Sequence, residues 1–407
     1  MGYILKCIHC GSEYDPKAVK YTCPKCGPRL GTLEVVLDKR SGHGSFDMAS
    51  RGIWAFEELL PIEKKHFEVP LFIGNTPLYE RKNMAHNFGL SDLWIKDDGR
   101  NPTASYKDRA SAIAIAKAKE IGIDTLYCAS TGNAASSLAG LSAASGMKSV
   151  IFVPKTAPEA KITQLLVYGA TVMAVDGSYD QAFDLSMEVG EEFGWYSRNS
   201  AINPYLLEGK KTGAMEVAVQ LDFNVPDVAM VSVGDGTVVS SIYKGFKDLK
   251  DSGLTKKIPQ IIGVQAENAN AVMKTFESGV FDRPVDIEAH SMADSIAVGK
   301  PRDVLKACKW VKESGGYFVS VSDDEIGKAI VELARESGVF AEPAGATAYA
   351  GLKKIAKALQ GKSVVIFVTG NGLKDVKASR GFTGEVHEVK PDPEMVKKLL
   401  RSIKAVR

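Results

Sequence analysis

A parallel α/β fold in two units, led by a small cysteine-bearing segment, is what this 407-residue sequence predicts. Three observations predict it. From about Thr76 onward, short apolar runs alternate with helix-length stretches. Loops rich in glycine and hydroxyl residues follow several of those runs and open the next helix. Two Cys-x-x-Cys pairs, Cys7/Cys10 and Cys23/Cys26, stand at the N-terminal end.

The bulk properties narrow the classes of function. A chain of this length exceeds one ordinary core, so two or three domains are expected. The 51 basic and 49 acidic residues leave a formal charge of +2, which gives no reason to expect nucleic acid or an anionic membrane as partner. The longest apolar runs, at 149–153 and 364–368, are strand-sized and far short of a membrane span. The opening Met1-Gly2-Tyr3-Ile4-Leu5-Lys6 runs straight into the cysteines without the pattern of a signal peptide, and Lys6 rules out the myristoylation motif. A cytoplasmic location is expected. A disulfide framework would be out of place there, and Cys128 and Cys308, each in apolar surroundings, read as buried thiols.

Along the chain, residues 1–38 come first. Each Cys-x-x-Cys pair fits a tight knuckle, and two knuckles supply four thiolates to one closed tetrahedral site. With strands expected at 3–6 and 31–37, the segment reads as a zinc ribbon with a structural zinc on Cys7, Cys10, Cys23 and Cys26. His9 reads as a neighbour of that site. His43, His66, His86, His290 and His387 show no metal-ligand spacing and read as packing. Residues 39–75 are an irregular connector containing Gly42, Gly44, Pro61 and Pro70.

Residues 76–213 form an interleaved α/β domain, with a smaller unit at roughly 115–195. Strands are expected at 93–96, 125–129, 149–154 and 171–175, and helices at 107–121 and, after the Ser130–Asn133 loop, through Ala144. Residues 214–390 form a larger α/β domain with strands at 228–233, 260–265 and 364–368. A basic amphipathic helix closes the chain at 391–407. Strands interleaved with helices of this length make parallel sheets covered on both faces.

Loops at the C-terminal edge of such sheets bind ligands. In Asn101-Pro102-Thr103-Ala104-Ser105-Tyr106-Lys107-Asp108-Arg109, a loop of small residues delivers Lys107 to the start of an apolar helix. The helix dipole there lowers the pKa of an amine, as attack on an aldehyde requires. Ser130-Thr131-Gly132-Asn133 offers hydroxyls, backbone N–H groups and an amide to a carboxylate or a ring oxygen. Gly234-Asp235-Gly236-Thr237 is an anion cradle at a helix start. It lacks the Lys-Ser/Thr of a Walker loop, and no Gly-x-Gly-x-x-Gly fingerprint for a nicotinamide cofactor occurs. Val368-Thr369-Gly370-Asn371 ends the last strong strand with a hydroxyl suited to a neutral pyridine nitrogen.

In this order the loops resemble those of the fold-type-II, tryptophan-synthase-β-like pyridoxal-phosphate (PLP) enzymes, and specifically the threonine synthase family. The resemblance runs from Gly74-Asn75-Thr76-Pro77-Leu78 to Asp375 and also rests on Glu208-Gly209-Lys210-Lys211-Thr212 and Glu342-Pro343-Ala344. It implies a PLP-dependent lyase and homodimer acting on a small amino acid, with Lys107 as the catalytic residue that holds the cofactor as a Schiff base. Asn133 would contact the ring oxygen, Gly234, Asp235, Gly236 and Thr237 the phosphate, and Thr369 the ring nitrogen. Ser105, Ser130, Thr131, Lys161, Asn199 and Ser200 would face the substrate. The family's reaction takes O-phosphohomoserine and water to threonine and phosphate: the γ C–O bond breaks, and water adds at the β-carbon.

Three positions depart from the family pattern. Leu206 follows Asn203-Pro204-Tyr205 where the family places a phosphate-gripping arginine. The cradle is Gly-Asp-Gly-Thr, with an acid close to a dianion, and Asn371 replaces a usual histidine. Lys155, Lys161, Lys210 and Arg198 are the candidates to make good the lost arginine. Alternative readings are a threonine or serine ammonia-lyase, a replacement enzyme of the cysteate-synthase type, and a non-catalytic ribbon-bearing binding protein. The absence of an effector domain after Asp375 weighs against a regulated deaminase.

Overall fold

The computed structural model describes residues 2–38, 46–63 and 69–403. Gly42, His43, Gly44 and His66 lie outside the described residues. The head is a three-stranded antiparallel sheet of β1 (Tyr3–Cys7), β2 (Glu13–Tyr14) and β3 (Leu33–Leu37), in the order β2-β1-β3. Leu5, Cys7, Leu33 and Val35 turn its inner face into the core.

The head is tied to the body on two sides. Thr32 Oγ1 donates to Asp303 Oδ1 at 2.8 Å, and Lys306 Nζ donates to the Leu33 carbonyl at 3.1 Å. On the other side the amide of Ser197 donates to the Tyr21 hydroxyl at 2.7 Å.

Two further sheets carry the body. The six-stranded one comprises β4 (Leu78–Glu80), β5 (Asp92–Asp97), β10 (Val228–Ser232), β11 (Gln260–Ala266), β12 (Tyr317–Val321) and β13 (Ser363–Val368). Its order is β12-β11-β10-β13-β5-β4, parallel throughout except for β4. The four-stranded one is fully parallel, in the order β8-β7-β6-β9, from β6 (Thr125–Ala129), β7 (Lys148–Pro154), β8 (Thr171–Val175) and β9 (Tyr196–Ser197). The central strands β10 and β13 are buried on both faces, which is why they read as unbroken runs of Val, Ile, Ala, Met and Phe. Among the described residues no helix is long and apolar enough to cross a membrane.

Four helices frame the chemistry: α1 (Lys107–Glu120), α2 (Asn133–Ala144), α3 (Tyr205–Gln220) and α4 (Thr237–Asp251). Ala and Ile make α1 buried along most of its length, and it lies hard against α3. A Cβ at Gly209 would stand 2.0 Å from the Arg109 carbonyl, so only glycine permits this approach.

A fully buried ion cluster fastens α1 to β5 and α3. Arg109 pairs with Asp98 at 2.6 Å and Glu216 at 2.5 Å, and Lys96 reaches Glu216 at 2.7 Å. Glu216 also accepts from the amides of Asn75 and Thr76. Removing one member of such a cluster costs about 3–5 kcal/mol, because its partners stay buried and charged. The cluster fixes the start of α1, and therefore Lys107.

Candidate active site

Lys107 sits at the first turn of α1, held by the loop before it. Thr103 offers its amide and hydroxyl to Asp108, and the amide of Tyr106 donates to the Thr369 carbonyl at 2.9 Å. Ser105 forms a backbone bridge with Gly370. Ala104 adopts φ 63°, a left-handed conformation that an alanine keeps only where its surroundings impose it. The loop is thus stitched to the end of β13. Burial lowers the pKa of Lys107 to about 8, with the Arg198 guanidinium adding to the effect and Asp235 and Glu342 opposing it.

The Gly234–Thr237 turn leaves β10 and opens α4. Gly236 has φ 95°, and a Cβ there would press on the Asp303 carbonyl at 2.9 Å. Asp235 is held by the segment beside it: its Oδ1 accepts from the Arg302 amide at 2.6 Å, and its carbonyl from the Asp303 amide at 3.1 Å. Burial raises its pKa to about 6. The carboxylate thus braces the turn through the Arg302 amide, while Asp235 itself borders both compartments of the site.

Lys107, Asn133, Ser200, Lys210, Thr369 and the Gly234–Thr237 turn line one inner chamber. Asn133 Nδ2 donates to Glu342 Oε1 at 2.7 Å, which sets the amide's orientation across the chamber. A larger cleft of about 680 Å³ opens outward from it, with Ser130, Thr131, Lys161, Arg198, Asn199 and Ser200 in its wall. Lys107 and Ser200 belong to both compartments.

The expected substrate residues divide into four groups. Ser130, Thr131 and Ser200 reach the cleft wall. Lys161 stands at its rim, paired with Asp294 at 2.5 Å. Asn199 also borders the cleft, but its amide is occupied: Oδ1 accepts from Ala129 N at 2.9 Å and Nδ2 donates to Ser186 at 3.3 Å, so it holds the end of β6 in place. Ser105 does not line either compartment, because its bridge to Gly370 carries it beneath them, fully buried.

Arg198 carries more of the site than its place in the sequence suggested. Its guanidinium is completely buried and, among the described residues, has no carboxylate within salt-bridge distance. Nε donates to Ser111 Oγ at 3.0 Å, Nη1 to Ser200 Oγ at 3.2 Å and Nη2 to the Lys107 carbonyl at 3.3 Å. One N–H on each terminal nitrogen remains spare, a paired arrangement suited to two oxygens of one anion. Of the other candidate replacements, Lys155 only approaches Asp176 at 4.0 Å, outside the cleft lining. Leu206 is buried in the apolar core. Asn371 caps a turn, its Oδ1 accepting from the Leu373 amide at 3.0 Å.

The inner chamber suits a phosphorylated aldehyde. It offers an amine of lowered pKa, an anion cradle at the start of a long helix, and a buried Thr237 hydroxyl with no protein partner. An unpartnered buried hydroxyl is costly unless a ligand completes it.

In the head, the four cysteine sulfurs lie within 4.8 Å of one another, with Cys10 and Cys23 3.8 Å apart. Four sulfurs at about 2.3 Å from a central zinc stand about 3.8 Å apart, so the cluster has nearly the dimensions of a tetrahedral site. His9 Nδ1 is 3.3 Å from Cys26 Sγ, as a neighbour that hydrogen-bonds a ligand sulfur.

The model of the pyridoxal-phosphate dependent enzymes matches residues 69–370. The chain is 36% identical over 407 residues to a threonine synthase of Methanocaldococcus jannaschii, covering 98% of this chain and 99% of that protein. It is 38% identical over 380 residues to one of Methanosarcina acetivorans, covering 92% of each. Among solved structures, a processed threonine deaminase from Solanum lycopersicum superposes with a TM-score of 0.66 at 20% identity, covering 86% of this chain and 97% of that one. A maize serine racemase superposes with a TM-score of 0.65 at 18% identity, covering 88% of this chain and 99% of the other.

Proposed function

The chain belongs to the pyridoxal-phosphate-dependent enzyme family, and from that premise we infer that this PLP-dependent lyase is a threonine synthase acting on O-phosphohomoserine. The observation that carries the reading is Arg198, a buried guanidinium with two N–H groups to spare, standing beside Lys107 at the junction of the two compartments. A dedicated cation at that point suits a substrate with an anionic leaving group. Full-length similarity to threonine synthases supports the same substrate.

Lys107, Asn133, the Gly234–Thr237 turn and Thr369 would hold the cofactor, with Asp235 supporting the turn by its bond to the Arg302 amide. When bound, the cofactor supplies an electron sink for charge developing on the substrate's carbon skeleton. The protein supplies position and proton transfer. Lys107 Nζ, with a pKa of about 8, can take a proton from carbon and return it near neutral pH. Ser130 and Thr131, at the start of α2, receive the substrate carboxylate. Arg198 and Ser200 grip the phosphate, and Lys161 at the rim draws the anion in. In the head, Cys7, Cys10, Cys23 and Cys26 hold a structural zinc.

The test is a product assay on the purified PLP-loaded enzyme given O-phosphohomoserine, with phosphate and threonine both measured. Equal amounts of the two are expected. Ammonia release from threonine or serine, with no phosphate turnover, would assign the enzyme to the ammonia-lyases instead.

A further inference from the structure

Two adjacent lysines on α3 have opposite fates. Lys211 Nζ bonds Glu208 and, at 2.6 Å, Asp248 on α4, so its charge is spent on helix packing. Lys210, just before it, faces the inner chamber and is fully buried. The other buried lysines among the described residues (Lys96, Lys117, Lys211, Lys244 and Lys306) each lie within 4.0 Å of a carboxylate. Lys210 does not, and its hydrogen bond to Ser200 Oγ is long, at 3.3 Å.

An ammonium in that setting is expensive to bury, and the expense falls on the apoprotein. Lys210 titrates well below the usual lysine range, chiefly because it is buried and then because Lys107 and Arg198 stand near it, with the more distant Asp235 and Asp303 carboxylates opposing the effect. Its surroundings are those of an anion site missing its anion. The same chamber contains the Gly234–Thr237 cradle, the start of the fifteen-residue helix α4 and the unpartnered buried hydroxyl of Thr237. The one carboxylate in the cradle, Asp235, is engaged by the Arg302 amide.

We propose that Lys210 is the counter-cation of the cofactor's phosphate, reaching from α3 across the chamber to complete the anion site that the Gly234–Thr237 cradle begins. Ser200, whose Oγ accepts from both Lys210 and Arg198, then marks the partition between two anions. The cofactor phosphate lies on the Lys210 side, and the substrate's anionic group lies on the Arg198 side. This assignment rests on family membership and holds whichever amino acid the enzyme converts.

The test compares two aldehydes on the full-length apoprotein, pyridoxal phosphate and pyridoxal, by absorbance titration of wild type, Lys210→Met and Lys210→Arg. A lost charge-assisted hydrogen bond should weaken pyridoxal phosphate by about 10- to 150-fold in Lys210→Met. Pyridoxal, which has no phosphate, should bind as in wild type, and Lys210→Arg should recover most of the loss. Inorganic phosphate should raise the melting temperature of the wild-type apoprotein and leave that of Lys210→Met unchanged. Equal weakening of both aldehydes would overturn the proposal. Unchanged cofactor binding with a raised KM would place Lys210 on the substrate instead. Unchanged binding with an altered pH profile of kcat would make it a proton carrier. The phosphate effect on wild type decides the matter even if Lys210→Met fails to fold, because a wild-type apoprotein indifferent to phosphate has no such site.

Discussion

Replacing Arg198 by leucine should cost the enzyme most of its activity on a phosphorylated substrate while sparing its handling of an unphosphorylated one. Of the guanidinium's N–H groups, three are committed to Ser111, Ser200 and the Lys107 carbonyl, and the two left over point to one anion. Hydrogen bonds to charged groups contribute about 1.5–3 kcal/mol each, so two of them amount to about 3–6 kcal/mol. That corresponds to a fall of roughly 10²- to 10⁴-fold in kcat/KM for O-phosphohomoserine. The contacts made in the ground state should raise KM when lost, and the part of them that strengthens as charge grows on the departing phosphate should lower kcat. The assay is continuous phosphate release, set beside a spectral titration with L-threonine, which has no phosphate to lose. Threonine affinity should change by no more than about threefold, and Arg198→Lys, which keeps the charge but not the fork, should fall between the two. A loss below tenfold on the phosphorylated substrate, or an equal loss of threonine binding, would refute the assignment. A thermal melt guards against the trivial cause, since Arg198 also steadies Ser111 and the Lys107 backbone.

Cofactor capture needs the neutral amine of Lys107, so the rate at which apoprotein binds pyridoxal phosphate should climb with pH and level off above about 8, where the amine is free; stopped-flow absorbance at the aldehyde band follows it, and a rise continuing toward pH 10 would mean an unperturbed lysine. In the head, Cys23→Ser should abolish one equivalent of bound zinc per chain, read by elemental analysis. It should also lower the melting temperature, because the zinc holds the knuckles whose neighbours Thr32 and Tyr21 tie the head to both sides of the body. Glu216→Gln should destabilise the fold by about 3–5 kcal/mol in urea titration. Arg109, and then Lys96, hold the Glu216 carboxyl down to about 2, below its ordinary 4.5, so the stability it contributes is present above pH 4.5 and lost as pH falls from there toward 2.

Most of the strands that carry the site were legible because they are buried on both faces, as β6, β10 and β13 are; β8, largely exposed at a sheet edge, was legible from its apolar residue types alone. β6 and β8 fall where the apolar runs place them, and β7, β10, β11 and β13 depart by only a residue at an end. The strands that escaped notice are those without such a run. β9 has two residues, β4 three, and β12 has the sequence Tyr317-Phe318-Val319-Ser320-Val321, whose polar interruption and edge position hide it. The pairing of β5 beside β13 was equally out of reach, since it joins segments more than two hundred residues apart and no local pattern records a register of that kind.

At the site, loop residues were legible by type, and the buried cations only as unranked candidates. A hydroxyl or glycine at the end of a strand announces itself by position, and Ser130, Thr131, Asn133 and the Gly234–Thr237 turn all border the compartments expected of them. An arginine or a lysine has the surface as its ordinary home, so Arg198 and Lys210 stood in the sequence only as two of four candidate cations, beside Lys155 and Lys161, and no local pattern records which of the four is buried at the site. What distinguishes them is a missing partner: five other buried lysines each found a carboxylate, and Arg109 found two. A buried basic side chain with no carboxylate within salt-bridge distance is suited to a negative charge brought from outside. Arg198 and Lys210 both donate to Ser200, and the proposed reaction brings two anions to the site, one borne by the cofactor and one by the proposed substrate.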